Sequence, residues 1–196
     1  MIETIVFDVG KTITRDDRYW QSWADWLDVP RHTLSALVGA VVARGQDNAE
    51  ALRLVLPGVD VAAEYRAREA AGQGEYLDES DLYDDVRSPL SALRELGVRV
   101  IVAGNQTPRA DELLRALDLP VDLVVTSGEW GVAKPQLGFI ERVLVSAAAL
   151  RVPVGCTCFS MSVRWARAAA YSSGCAVRTE TVGGVPDTSL PNCQVA

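Results

Sequence analysis

The sequence predicts a doubly wound parallel α/β domain, Rossmann-like in its core, with a small helical segment inserted after the first strand. From Asp84 onward, short apolar runs alternate with amphipathic helical stretches, a pattern typical of a parallel sheet with helices on both faces. Residues 15–83 carry helical periodicity and no convincing strand. The length of 196 residues fits one domain, or one core domain with a smaller insert.

The core elements follow from strand and helix signals along the chain. Thr107 and Pro108 open a helix as N-cap and first-turn residue, and Gly97 ends the helix before it. The predicted strands are 3–8, 98–104, 121–127, 152–159 and 175–179, and the predicted core helices are 88–96, 107–117, 139–150 and 163–174.

The insert is predicted to pack as a helical unit of its own. Trp20, Trp23 and Leu27 share one face of its first helix, which favours a core role for both tryptophans. Leu34, Leu37, Val38 and Val41 form the apolar stripe of the next helix, and further helical pieces are expected near 49–56 and 61–71. The predicted domains are a core of residues 1–14 and 84–182, the helical insert 15–83, and a tail 183–196.

Composition and charge exclude several classes of function. A net charge of −7 and a pI near 4.8 disfavour binding to nucleic acid or to membrane phosphates. No apolar run has the length of a membrane span, and the start of the sequence does not look like a signal peptide. We therefore expect a cytoplasmic protein with free thiols and a small-molecule partner. The spacing of Cys156 and Cys158 does not favour a zinc site, and the oligomeric state stays open.

Chemistry-bearing residues are expected where the parallel strands end, because ligands bind beyond the carboxyl ends of such sheets. Four places qualify: Asp8, Gly104 with Asn105, the loop that reaches Lys134, and residues 159–162.

Three of these places resemble motifs of the haloacid dehalogenase-like hydrolases, over roughly residues 2–179. VFDVGKTIT resembles the family's first motif, VIVAGNQT its second, and VAKPQLGFI its third. The resemblance implies that Asp8 is a nucleophile that forms a covalent ester, that Thr12 supports the turn, and that Lys134 neutralises charge beside Asp8. It also implies that the helical insert is a cap domain. The alternatives are a capping or turn aspartate and a surface lysine before a turn proline.

The sequence departs from the family pattern at three motifs. Gly10 replaces a second aspartate that acts as general acid/base, a role typically worth about 10²–10⁴-fold in rate. Gly104 stands at the second motif's hydroxyl position. Met161 and Ala166 stand at the two acid positions that hold Mg²⁺, and no Asp or Glu occurs between Glu141 and Glu180. No cofactor is therefore expected, and Mg²⁺ could be held only weakly, through Asp8.

Six residues are candidates for substrate binding. Arg164 either supplies positive charge in place of the metal or solvates a helix surface. Aromatic walls from Trp26 and Trp130 would suit an apolar or ring-bearing ligand. The full set is Gly10, Thr12, Trp26, Asn105, Trp130 and Arg164.

Three functions remain open from the sequence. The first is a diverged hydrolase that uses Asp8 on a phosphate ester or a similar small molecule, with its Mg²⁺-dependent activity weakened or lost. The second is a metal-independent enzyme that uses Asp8 and Lys134 on an organic substrate. The third is a non-catalytic descendant that binds a ligand or a protein partner.

Overall fold

The structure, a computed structural model, describes residues 3–134, 136–149 and 157–160. Within these residues, parallel strands form a single sheet, with helices before and between them. The strands are β1 (Thr4–Phe7), β2 (Arg99–Gly104), β3 (Leu123–Thr126) and β4 (Thr157–Ser160). The helices are α1 (Asp17–Trp26), α2 (Arg31–Ala43), α3 (Ala49–Val55), α4 (Val61–Ala70), α5 (Arg87–Glu95), α6 (Pro108–Ala116), α7 (Ser127–Trp130) and α8 (Leu137–Ala149), with a 3₁₀ turn at Glu79–Asp81.

The strand order is β3-β2-β1-β4, and all pairs are parallel. Val6 of β1 lies between Ile101 on one side and Phe159 on the other. The chain runs outward from β1 to β3 and then returns to β4, so the direction of winding reverses beside β1. This is the doubly wound topology that the alternating pattern predicts, and the predicted fold class is confirmed.

Both faces of the sheet are covered. One face packs against α8 in a cluster of buried apolar side chains: Val6, Ile101, Ala103, Val125, Phe139, Ile140, Val143 and Ala147. Because side chains alternate along a strand, Val100 and Val102 point to the opposite face, where both are fully buried. The helices α5 and α6 contact β2 and β3, which accounts for that burial.

The helix α6 begins as its sequence predicts. The Thr107 hydroxyl oxygen accepts a hydrogen bond from the Ala110 amide at 3.0 Å, and Pro108 occupies the first turn. This cap satisfies one of the amides that a helix leaves without an intrahelical partner.

We expect Thr107→Ala to lower the free energy of unfolding by about 1 kcal/mol, because it removes this N-cap. Urea unfolding followed by circular dichroism measures the loss. The exposed Thr33 of α2 is the control, since Thr33→Ala removes a similar side chain that caps no helix. Equal effects of the two substitutions would contradict the assigned role of Thr107.

The chain divides into two compact units, one of which is the helical segment Arg15–Asp81 and the other the sheet-bearing remainder. In the helical unit, Trp20 and Trp23 are buried, as predicted, beside Leu34, Val38 and Val41 of α2. The predicted domain boundaries and the cap role of the helical unit remain predictions.

The 3₁₀ turn at the end of the helical unit is tied to α1 by charged groups. Arg18 pairs with Asp81 and with Asp78 and lies over the Tyr76 ring at 4.5 Å. Hydrogen bonds from Ser80 and Tyr76 lower the pKa of Asp78 to about 2. The Ser80 hydroxyl donates to Asp78 Oδ1 at 2.6 Å.

This shift predicts an acid-sensitive contribution to stability. The folded pKa of Asp78 lies below its unfolded value of about 3.9, so the contribution is present above that value. It is lost as the pH falls through the folded pKa. We expect the melting temperature of the wild type to fall more between pH 4 and pH 2 than that of Asp78→Asn. If the melting temperatures of the wild type and of Asp78→Asn fell equally between pH 4 and pH 2, Asp78 would not be the source of the acid sensitivity.

Some predicted elements differ from the structure or lie outside the described residues. The segment after β3 was expected to be a loop, but Ser127–Trp130 forms the helical turn α7, because Thr126 accepts a hydrogen bond from the Glu129 amide. β4 covers the end of the predicted strand 152–159. The predicted helix 163–174, the strand 175–179 and the tail 183–196 lie outside the described residues, as do Met161, Arg164 and Ala166.

Among the helices that the structure describes, none combines the length and the apolar character that crossing a bilayer requires.

Candidate functional site

Asp8 directly follows the last residue of β1. β1 is the strand beside which the winding of the sheet reverses, with β2 on one side and β4 on the other. The carboxyl ends of parallel strands around such a switch point form a crevice where ligands bind. The fold therefore places Asp8 at the expected binding edge of the sheet.

Lys134 lies against Asp8, although 126 positions separate the two residues in the chain. The Lys134 ammonium donates a hydrogen bond to Asp8 Oδ1 at 2.6 Å and lies 3.4 Å from the Ala103 carbonyl oxygen. The Lys134 side chain is 4% exposed and the Asp8 side chain is 18% exposed. Separating the two groups would leave the Lys134 ammonium buried without a partner of opposite charge. Because an unpaired buried charge costs several kcal/mol, about 3–5 by mutational experience, the pair stays together.

The inner end of this ion pair is apolar. Asp8 and Lys134 line a cavity of about 10 Å³ whose other walls are apolar side chains, and it is too small for more than one water molecule. The wall residues are Val6, Ala103, Phe139, Ile140 and Val143. A charge in such surroundings interacts more strongly with its neighbours than it would in water.

Asn105 holds the peptide of Lys134 rather than its ammonium. The Asn105 side-chain oxygen accepts a hydrogen bond from the Lys134 amide at 2.8 Å. The Asn105 side-chain nitrogen donates one to the Lys134 carbonyl oxygen at 2.9 Å. The loop after β2 and the loop before α8 are thereby joined at the site.

The turn after Asp8 is tightly bonded around the Val9 carbonyl oxygen. That oxygen accepts hydrogen bonds from the Ile13 amide at 2.9 Å and the Thr14 amide at 3.0 Å. Lys11 has φ 58°, a conformation that costs a residue with a side chain more than it costs glycine. Thr12 belongs to this turn, where its amide donates to the Val9 carbonyl oxygen at 3.3 Å, and its role in supporting the turn and in substrate binding stays a prediction.

Gly10 and Gly104 differ in the space around them. A Cβ built on Gly10 meets nothing within 4 Å, so the missing side chain at position 10 is not imposed by crowding. A Cβ built on Gly104 lies 2.5 Å from Val9 Cγ2, closer than real carbon atoms approach. A hydroxyl-bearing side chain at position 104 would therefore require Val9 to move.

Ser127 and Gly128, which the sequence motifs do not point to, hold the loop after β2 in place. The Ser127 hydroxyl accepts a hydrogen bond from the Gln106 amide at 3.0 Å and donates to the Gln106 carbonyl oxygen at 3.1 Å. Gly128 packs so closely that a Cβ there would lie 2.6–2.8 Å from backbone atoms of residues 106–108. A Thr-Ser pair at the end of a strand is a helix N-cap signal that could have indicated this turn.

The two candidate tryptophans belong to different units. Trp130 is half-buried, and its ring packs on Phe139 with the centroids 5.4 Å apart. Trp26 is half-buried in the helical unit, where its indole nitrogen donates to Glu64 at 2.8 Å. Their contacts to substrate remain predictions, and Arg164 lies outside the described residues.

The described residues do not fit a Mg²⁺ ion. Among them, no group of three or more His, Cys, Asp or Glu side chains comes together to hold a metal. Asp8 Oδ1 already accepts hydrogen bonds from the Lys134 ammonium and from the Val9 amide at 2.7 Å. A hard cation needs several oxygen ligands, and the sequence supplies no acid between Glu141 and Glu180.

No protein-family model matches the sequence, and no curated protein matches it. Solved structures do match. The L-2-haloacid dehalogenase RSc1362 has a TM-score of 0.65 and 19% identity, covering 96% of this chain and 90% of that chain. A putative β-phosphoglucomutase from Thermotoga maritima has a TM-score of 0.64 and 19% identity, covering 96% and 89%.

A third structure with this fold was solved with a metal. It is a putative HAD-hydrolase, YfnB from Bacillus subtilis, bound to magnesium, with a TM-score of 0.64 and 14% identity over 96% of this chain and 90% of that one. Identities this low establish the fold alone. The resemblance seen in the motifs is thereby confirmed for the fold, and the chain has the fold of the haloacid dehalogenase-like hydrolases.

Proposed function

We propose that the chain is a hydrolase that acts on a small organic molecule through Asp8, with Mg²⁺-dependent phosphatase chemistry weakened or lost. The observation that carries the proposal is the 2.6 Å contact between the Lys134 ammonium and Asp8 Oδ1. In this contact the positive charge beside the carboxylate comes from a lysine side chain. It also orients the carboxylate at the carboxyl end of β1.

The proposed reaction has two halves. An Asp8 oxygen attacks an electrophilic centre of the substrate, and the bond to the leaving group breaks with its electron pair, leaving an ester of Asp8. Water then adds to the carboxyl carbon of that ester. The Lys134 ammonium lies where negative charge develops on the Asp8 oxygen. Collapse breaks the bond between the carboxyl carbon and the ester oxygen, restores the carboxylate, and releases the alcohol with one proton of the water, while the second proton is released to solvent.

Gly10 restricts the leaving group. No side chain at this position can protonate a departing oxygen, and proton donation of that kind is typically worth about 10²–10⁴-fold in rate. A substrate whose leaving group departs as a stable anion, such as a halide, does not need that donor. This supports a carbon electrophile over an alkyl phosphate.

The remaining predicted contacts are part of the proposal. We propose that the helical unit Arg15–Asp81 serves as the cap and that Trp130 contributes an apolar wall to the substrate site. Gly10 and Thr12 would contact the substrate through the turn that follows Asp8. These roles suit a small organic substrate better than a strongly charged one.

The test is a turnover screen of the full chain on short 2-haloacids and on phosphate esters, each with excess EDTA or with Mg²⁺. We expect haloacid turnover that is unchanged by EDTA and absent in Asp8→Asn. Asp25→Asn is the control, because Asp25 lies on the surface, where it pairs with Arg31. Phosphate ester turnover that requires Mg²⁺ would contradict the proposed chemistry. No turnover of either class would favour a binding protein.

A further inference from the structure

We infer that Asn105 is a positioning residue that sets the ion pair between Lys134 and Asp8, rather than only a contact for substrate. This inference rests on the proposed function, in which Lys134 orients and stabilises Asp8. In it, the Asn105 side-chain amide affects Asp8 only indirectly, by fixing the position of Lys134.

Both hydrogen-bonding ends of the Asn105 side chain are used by the backbone of one residue, Lys134. The oxygen accepts from the Lys134 amide at 2.8 Å, and the nitrogen donates to the Lys134 carbonyl oxygen at 2.9 Å. A carboxamide matches this donor and acceptor pattern, whereas a carboxylate or an alanine does not. Two bonds to the backbone of one residue, on either side of its Cα, fix the orientation of that residue and not only its distance.

The position of the Lys134 peptide decides where its ammonium lies. The side chain is almost fully buried, and its nitrogen reaches both Asp8 at 2.6 Å and the Ala103 carbonyl oxygen at 3.4 Å. A lysine side chain is flexible, so its ammonium stays at one place only if its backbone and its surroundings are fixed. The Asn105 clamp supplies the first of these conditions.

The loop that carries Asn105 is itself rigid. Ser127 bonds to both backbone groups of Gln106, at 3.0 and 3.1 Å, and Gly128 packs directly on the same loop. Thr107 caps α6 immediately afterwards. The Lys134 backbone is therefore bonded, through Asn105, to a loop whose own position is fixed.

The composition of the chain allows a direct test. Lys134 and Lys11 are the only lysines among the 196 residues. Competitive acetylation of the full-length protein with limiting acetic anhydride, quantified by peptide mass spectrometry, gives the reactivity of Lys134 relative to that of the exposed Lys11. An amine that is buried and paired reacts slowly, because the reagent needs an accessible neutral amine.

We expect Asn105→Ala to raise the relative reactivity of Lys134 by about tenfold, toward the value in Asp8→Asn, where the partner is removed. Two controls separate positioning from general loosening. Asn48→Ala removes the same side chain from a place where it makes no cap hydrogen bond. Ser127→Ala loosens the Asn105 loop but leaves the clamp intact. Asn48→Ala should keep the wild-type ratio, and Ser127→Ala should raise it by less than Asn105→Ala does.

Three results would overturn the inference. The first is a wild-type ratio in Asn105→Ala while Asp8→Asn raises the ratio, which leaves the proposed function standing. The second is an equal rise in Ser127→Ala and Asn105→Ala. The third is a wild-type ratio in Asp8→Asn, which would show that the ion pair itself is not formed and would remove the basis of the proposed function as well.

Discussion

Asp8→Asn is expected to lower the free energy of unfolding by about 3 kcal/mol. The substitution conserves shape but removes the negative charge that balances the Lys134 ammonium. Because the Lys134 side chain is only 4% exposed, water cannot replace that charge without local opening. Urea unfolding of the full chain, followed by circular dichroism, measures the change in the midpoint.

The control for this prediction is the same substitution at an exposed ion pair. Asp25 pairs with Arg31 at 2.7 Å, with both side chains more than half exposed. Exposed pairs of this kind are screened by water and contribute little to stability, so Asp25→Asn should be nearly neutral. A mutant Asp8→Asn as stable as the wild type would contradict the account of Lys134 as a buried cation held by Asp8.

Gly128→Ala is expected to destabilise the protein by about 2–3 kcal/mol. The added Cβ would lie 2.6 Å from the Pro108 nitrogen, 2.7 Å from the Thr107 carbonyl carbon and 2.8 Å from the Gln106 carbonyl oxygen. All three are backbone atoms, so no side-chain rotation can relieve the clash. The loop after β2 or the helical turn α7 must shift instead.

Gly10→Ala is the matched control, since a Cβ on Gly10 meets nothing within 4 Å. We expect its stability to stay within about 0.5 kcal/mol of the wild type. The same urea experiment serves both variants. Equal midpoints for Gly128→Ala and Gly10→Ala would show that the close approach of the two loops is not a feature of the protein in solution.

The fold was predictable because its signals are local and repeated. Apolar runs such as Val100 to Ala103 are bounded by helix starts and stops, and these mark strand and helix in alternation. Once the alternation is recognised, the preference for right-handed crossovers leaves few parallel topologies. The helical turn α7 was missed because four residues are too few to show a helical period.

The site was predictable only in part. Asp8 was predicted because a lone acid ends an apolar strand, and Lys134 because its loop follows a strand end and its Lys-Pro resembles the family's third motif. The sequence could not indicate that Asn105 bonds to the Lys134 backbone, since that contact depends on how two loops fold toward each other. The exclusion of a side chain at Gly104 by Val9 is likewise a consequence of packing.

The most direct test of the central claim is the fate of water oxygen during turnover. The protein is allowed to turn over a 2-haloacid in ¹⁸O-labelled water with excess EDTA. It is then digested, and the mass of the peptide that contains Asp8 is measured by mass spectrometry. The account predicts that ¹⁸O enters the Asp8 carboxylate, because water attacks the carboxyl carbon of the ester. Product formation with an unlabelled Asp8 would mean that water attacks the substrate directly, and Asp8 would not be the nucleophile.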